Sequence, residues 1–105
     1  MNALELYHKV LSVREQGGCA AVATVIRTKG STPRETGAKM LVYQDGRIFG
    51  TIGGGCGEGE VIEKALTVMK EGIPRQHQVD LTAGLFYEDG GICGGIMDVF
   101  IEPVK

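Results

Sequence analysis

An α+β fold, with two main helices and a mixed or largely antiparallel sheet of about five strands, is what the 105-residue sequence predicts. Three observations carry that expectation. Only two stretches, 3–16 and 58–71, have apolar residues at helical spacing. Asp45-Gly46 between two short apolar runs is a strong hairpin signal, and a hairpin is antiparallel. The order helix, strand, hairpin, helix, strand, strand lacks the regular strand–helix alternation of a doubly wound sheet.

The first helix is expected from Ala3 to Gln16, with Leu4, Tyr7, Val10 and Leu11 as its apolar stripe, ended by Gly17-Gly18. Cys19 to Ile26 is small, β-branched and apolar, which reads as a strand buried on both faces with Cys19 a small buried hydrophobe. A polar loop from Lys29 to Gly37 follows, with Pro33 blocking helix. Lys39 to Tyr43 and Arg47 to Thr51 are the hairpin strands. The second helix runs from about Glu58 to Glu71, with Val61, Ile62, Ala65, Leu66 and Met69 on its apolar face. Gly72 stands where a C-cap glycine belongs, and Pro74 forbids continuation. Gln76 to Leu81 and Ile96 to Glu102 are the last two strands, separated by a loop holding Gly84, Gly90, Gly91, Gly94 and Gly95.

At this length the chain is a single domain, 1–105, able to bury roughly 60–68% of its unfolded surface. Hydrophobic residues at 43% fit a globular chain, and a net charge of −2 makes no electrostatic case for nucleic acid or membrane as partner. No apolar run suggests a membrane span, and the N-terminal pattern is not that of a signal peptide. Three cysteines with no CxxC pair argue for a reducing compartment, hence a cytoplasmic protein. Their even spacing, at 19, 56 and 93, is not accompanied by any repeat of the flanking residues.

The most informative segment is Gly50 to Gly59, where six of ten residues are glycine and the chain runs straight into the second helix. Each glycine costs roughly 0.5–1 kcal/mol relative to alanine in a regular element. Bare N–H groups at a helix start bind anions, with the helix dipole adding roughly 0.3–2 kcal/mol. No standard nucleotide fingerprint fits: starting from Gly53 and Gly55 the third glycine place falls on Glu58, and from Gly55 and Gly57 on Glu60. No Gly-Lys-Ser/Thr follows, so the segment is not a P-loop. A tight turn explains one or two glycines but not six. Glu58 and Glu60 suit the helix dipole and would repel a phosphate on the same amides. Glu58, nearer the loop, therefore suits a ligand carrying N–H donors or a metal centre, and Glu60 a solvated helix position.

Cys56 lies beside the helix start, which lowers a thiol pKa, while the adjacent carboxylates oppose that shift. Cys93 sits in a second glycine cluster and is sterically open. Zinc is disfavoured, because three scattered cysteines and two histidines have none of the usual short spacings. Gly30-Ser31-Thr32-Pro33-Arg34 combines hydroxyls with a guanidinium that makes bidentate bonds to phosphate or carboxylate. Alone, that loop reads as solvated. Lys29 and Lys39 read as surface cations, His8 as solvated and His77 as packed in a strand. Phe49, Phe86, Phe100 and the tyrosines read as core or rim.

Taken together, four segments carry a resemblance: Gly30 to Arg34, Gly37 to Val42, Gly50 to Glu58, and Cys93-Gly94-Gly95 ahead of Val99 to Pro103. In order and approximate spacing the set resembles the xanthine dehydrogenase accessory-factor family, the XdhC/CoxI type, over nearly the whole chain. The resemblance implies a chaperone that binds the molybdenum cofactor (molybdopterin) as cargo, supports its sulfuration and helps insert it into a xanthine dehydrogenase or related molybdenum hydroxylase. A cysteine desulfurase is a further partner it implies. The typical member carries a C-terminal Rossmann-like domain, and the resemblance implies that these 105 residues correspond to the N-terminal domain only.

Mapped onto this sequence, the cofactor-binding candidates are Ser31, Thr32, Arg34, Gly53, Gly54, Gly55, Cys56, Glu58, Cys93 and Gly94. Arg34 and the glycine-loop amides would take the phosphate, Glu58 the pterin N–H groups, and Cys93, with Cys56 as second candidate, the molybdenum. None is assigned a catalytic role, and the expected protein is a carrier rather than an enzyme. Two alternatives stand beside this: a thiol-dependent sulfur-transfer enzyme using Cys56 or Cys93, and a regulatory phosphate- or nucleotide-binding module. A homodimer is the default assembly.

Overall fold

The structure, a computed structural model, describes residues 2–30, 32, 35–52, 57–81 and 95–104. Its elements are α1 (Ala3–Glu15), β1 (Ala20–Lys29), β2 (Lys39–Tyr43), β3 (Ile48–Gly50), α2 (Glu58–Glu71), β4 (Arg75–Asp80) and β5 (Ile96–Val104). The strands form one sheet in the order β3-β2-β1-β5-β4, and every neighbouring pair is antiparallel. This is the expected α+β arrangement.

Local chemistry accounts for the element ends. Asn2 caps α1: its side chain accepts from Glu5 N at 2.9 Å, while Glu5 Oε1 accepts from Asn2 N at 3.4 Å. Gly72, at φ +70°, ends α2 by donating its N–H to Val68 O at 2.8 Å. In the β2–β3 hairpin Asp45 accepts from Arg47 N at 3.0 Å and from Arg47 Nε at 2.7 Å, with Gly46 left-handed beside it.

Those two bonds, the Arg47 backbone N–H first and its guanidinium second, hold the Asp45 carboxyl below the usual carboxylate range. A carboxylate whose pKa is depressed on folding stabilises above its unfolded pKa, and that contribution is lost as pH falls through the folded pKa. Asp45→Asn is therefore expected to unfold at lower urea than the wild type at neutral pH. The gap should close at acid pH, where both side chains are neutral. A gap that persists in acid would mean the ion pair is not its source.

Burial on both faces of the sheet makes β1 the centre of the molecule, as its small apolar run requires. On one face α2 packs Val61, Ala65 and Val68 onto Ala21, Ala23 and Val25 of β1 and Met97, Val99 and Ile101 of β5. On the other, Leu6 and Val13 of α1 pack onto Ala20 and Leu41. β1 runs three residues past its apolar stretch, because β5 keeps pairing with it through a bulge between Val25 and Arg27.

Several side chains differ from expectation. Leu4, Tyr7 and Leu11 are 63%, 56% and 51% exposed, and the buried stripe of α1 is Leu6 and Val13 with Val10 half-buried. Both stripes obey helical spacing, and only the docking of α1 on the sheet chooses between them. In α2, Val68 takes the buried place that periodicity gives to Leu66, and Leu66 is exposed. Cys19 is exposed rather than buried, since the sheet begins one residue later. Lys39 is half-buried and donates from Nζ to Thr24 Oγ1 at 3.0 Å, so it is not a free surface cation. No helix of the described residues is long and apolar enough to cross a membrane.

Candidate functional site

Antiparallel topology brings at least one end of each of three chain segments to one rim of the sheet. β1 leaves it at Lys29, paired with Ile96, and Gly30 turns off at φ +78°. The same segment returns at Gly37 and Ala38: Gly37 N donates to Val25 O at 2.7 Å, and Val25 N to Ala38 O at 2.9 Å. The residues flanking the 82–94 stretch meet each other, as Leu81 N donates to Gly95 O at 2.8 Å. The glycine-rich segment leaves β3 at Gly50, left-handed at φ +84°, and re-enters regular structure at Gly57, left-handed at φ +76°.

Gly57 fixes where the glycine segment meets β4. A Cβ there would lie 2.5 Å from Val79 Cγ1 and 3.5 Å from Leu81 Cδ2. The backbone can approach this closely only because no side chain is present. Thr51 Oγ1 donates to Glu58 Oε2, a hydrogen bond that ties the two ends of the glycine segment together. Glu58 is half-buried. Gly57 offers no side-chain cap to α2, and the acidic first turn, Glu58 and Glu60, complements the helix dipole. Glu60 is not merely solvated, as its Oε2 lies 3.1 Å from His77 Nε2 on β4. That contact falls outside hydrogen-bond geometry, leaving Nε2 buried without a hydrogen-bond partner among the described residues.

Of the ten cofactor-binding candidates, Thr32 and Glu58 are described, and Thr32 is half-buried in the first segment. Ser31, Arg34, Gly53, Gly54, Gly55, Cys56, Cys93 and Gly94 lie outside the described residues, and with them both candidate molybdenum contacts. Phe86 does too. What the described residues establish is the frame: Lys29–Ile96, Leu81–Gly95 and Gly57–Val79 are neighbouring anchors at one rim.

Sequence reasoning passes over one group at this end of the sheet. Asp98, the buried charged side chain of β5, accepts from Gln78 Nε2 at 3.2 Å and lies 3.5 Å from Arg27 Nη1. Arg27 itself stays 73% exposed and faces Asp98 across the bulge in β1. The visible signal is a single acid inside the otherwise apolar run Ile96 to Ile101. Thr51 is also missed as the tie on Glu58; a hydroxyl seven residues from a carboxylate has no recognisable spacing.

These elements define an α+β domain whose rim holds the described flanks of glycine-rich segments, Gly57, Leu81 and Gly95, beside a helix start. The profile of the XdhC and CoxI family matches residues 13–80, and the chain belongs to that family. It is 39% identical over 99 residues to the uncharacterized protein YqeB of Escherichia coli (strain K12), covering 94% of this chain and 18% of YqeB. It is 32% identical over 91 residues to a probable xanthine dehydrogenase subunit of Bacillus subtilis (strain 168), covering 81% of this chain and 26% of the relative. With the molybdenum cofactor insertion chaperone PaoD of Escherichia coli (strain K12) it shares 37% identity over 60 residues, covering 57% and 19%. A crystal structure of a xanthine dehydrogenase from Bacillus halodurans superposes with a TM-score of 0.82 at 34% identity, over all of this chain and 31% of that one. The chain thus spans between 18% and 31% of the length of these relatives.

Proposed function

We propose that this chain is a molybdenum-cofactor accessory protein, which holds the cofactor as cargo at the loop-bearing rim and passes it to a xanthine dehydrogenase-type molybdenum hydroxylase. The observation that carries the reading is the meeting of three segment ends at that rim, in a family member related to a molybdenum cofactor insertion chaperone. Those segments hold the hydroxyl, guanidinium, glycine and thiol groups singled out in the sequence.

Under this reading the amides of Gly53, Gly54 and Gly55, with Arg34, Ser31 and Thr32, receive the phosphate of the cargo. Glu58 accepts from pterin N–H groups with the oxygen that Thr51 leaves open. Cys93 beside Gly94, with Cys56 as a second thiol, contacts the molybdenum–dithiolene end as a transient ligand and handles sulfur during sulfuration, with a cysteine desulfurase as donor. A carrier has to release its cargo, so affinity arises from many modest contacts rather than a closed cage. A cytoplasmic location and a homodimer belong to the same proposal.

The test loads wild type, Cys93→Ala and Cys56→Ala with molybdopterin in a host that makes the cofactor. Pterin retained after purification is then measured by oxidative extraction and fluorescence, and activation of a molybdenum hydroxylase alongside it. The expected result is reduced retention and activation in Cys93→Ala, with a smaller loss in Cys56→Ala. Unchanged values in both variants remove the thiols from the mechanism. A wild-type protein that carries no pterin overturns the carrier reading altogether.

A further inference from the structure

We propose that the groove between α1 and the sheet is a separate binding site, for a small organic anion with an apolar body and a single negative charge. The groove has a volume of about 590 Å³, within the range of roughly 300–1,000 Å³ typical of small-molecule pockets. It opens on the α1 face of the sheet, from Lys39, which follows the returning Gly37-Ala38 end, to Glu102 at the far end. Glu102, which lines it, is six residues along β5 from Ile96, about 20 Å at the usual strand rise.

The groove exists because α1 sits on one corner of the sheet. Leu6 and Val13 anchor the helix, while Val10, Val22 and Val104 stay only half-buried and present apolar surface to the opening. Tyr7, 56% exposed, forms part of the wall. Covering such surface is worth roughly 25 cal/mol per Å² of apolar area removed from water, which favours an apolar body.

Charge decides the rest. Arg14 from α1 and Lys39 from β2 both line the groove. The Lys39 ammonium is already held in place by Thr24 Oγ1, so less side-chain freedom is lost when an anion arrives. Arg14 has no ion-pair partner among the described residues, leaving its fork of donors open. Across β1 from Lys39, Glu102 faces the same groove, also without an ion-pair partner among the described residues. Its carboxylate admits one negative charge near the cations and repels a second.

The probe is 8-anilinonaphthalene-1-sulfonate, an aromatic monoanion, titrated by fluorescence and calorimetry and followed by backbone amide NMR shifts. Expected are one site per chain, shifts centred on Val22, Lys39 and Glu102, and affinity that falls with added salt. Arg14→Gln with Lys39→Gln should weaken binding about tenfold through loss of two charge-assisted contacts, and Glu102→Gln should tighten it severalfold. Val104→Trp, which fills the groove without changing charge, should abolish the site. Equal affinity in the wild type and all charge variants overturns the proposal. Shifts centred on Gly57, Leu81 and Gly95 instead do the same.

Discussion

Gly57→Ala is expected to lower the unfolding free energy by about 3 kcal/mol, the sum of a left-handed backbone penalty and an overpacking penalty. The added methyl would sit 2.5 Å from Val79 Cγ1. Valine is stiff at χ1, and Val79 is only 2% exposed, so neither its rotamer nor its backbone yields cheaply. Gly59 provides the control two residues on. It lies inside α2 with nothing within 4 Å of an added Cβ and no positive φ, so Gly59→Ala should stabilise by about 0.5 kcal/mol through helix propensity. Urea titration of the pair reads both signs. Two variants with the same change would mean that Gly57 has no packing role against β4. Because Gly57 also sets where the glycine segment meets β4 beside Leu81, the alanine variant should retain less pterin under conditions where it is still folded.

A second large effect separates two readings of α1. Leu6→Ala should cost about 3 kcal/mol, since Leu6 is 2% exposed and packs with Val13, Ala20 and Leu41. Leu4→Ala should stay within about 0.5 kcal/mol, because Leu4 is 63% exposed. The apolar stripe read from periodicity alone includes Leu4 and omits Leu6, so it orders the two variants the other way. Denaturant midpoints at unchanged slope decide between them.

The contrast shows why helix existence was legible while the buried face was not. α1 carries apolar residues on two overlapping stripes, Leu4/Tyr7/Val10/Leu11 as expected and Leu6/Val10/Val13 as observed, and each satisfies the 3.6-residue period. Nothing local prefers one. α2 was easier, with Val61 and Ala65 placed correctly, though Val68 took the buried position expected of Leu66. Hairpin strand β2 runs over the same residues as expected, Lys39 to Tyr43, because Asp45-Gly46 and the Asp45–Arg47 bonds set its register locally. Cys19 differs for the opposite reason: an apolar neighbourhood in sequence says nothing about where pairing with Tyr43 and Val104 begins, and pairing begins at Ala20.

At the site, the sequence singled out the glycine-rich segment and its acid Glu58 from composition alone. It did not show that Glu58 is tied to Thr51, nor that a buried Asp98 stands between Gln78 and Arg27. Both depend on residues far apart in the chain or on strands that are neighbours only in the folded sheet.

The sequence by itself determined the element order, the α+β class, the glycines of the hairpin turn and the α2 C-cap, and the family motifs. These are matters of local backbone preference and short-range patterning, which a chain expresses wherever it is placed. Only the tertiary structure decided which stripe of α1 is buried, that β5 lies between β1 and β4, and that Lys29, Leu81, Gly95 and Gly57, from three glycine-bearing segments, are neighbours at one rim. Strand order and helix docking are settled by the joint burial of apolar faces from distant parts of the chain, and no single stretch of residues contains that choice.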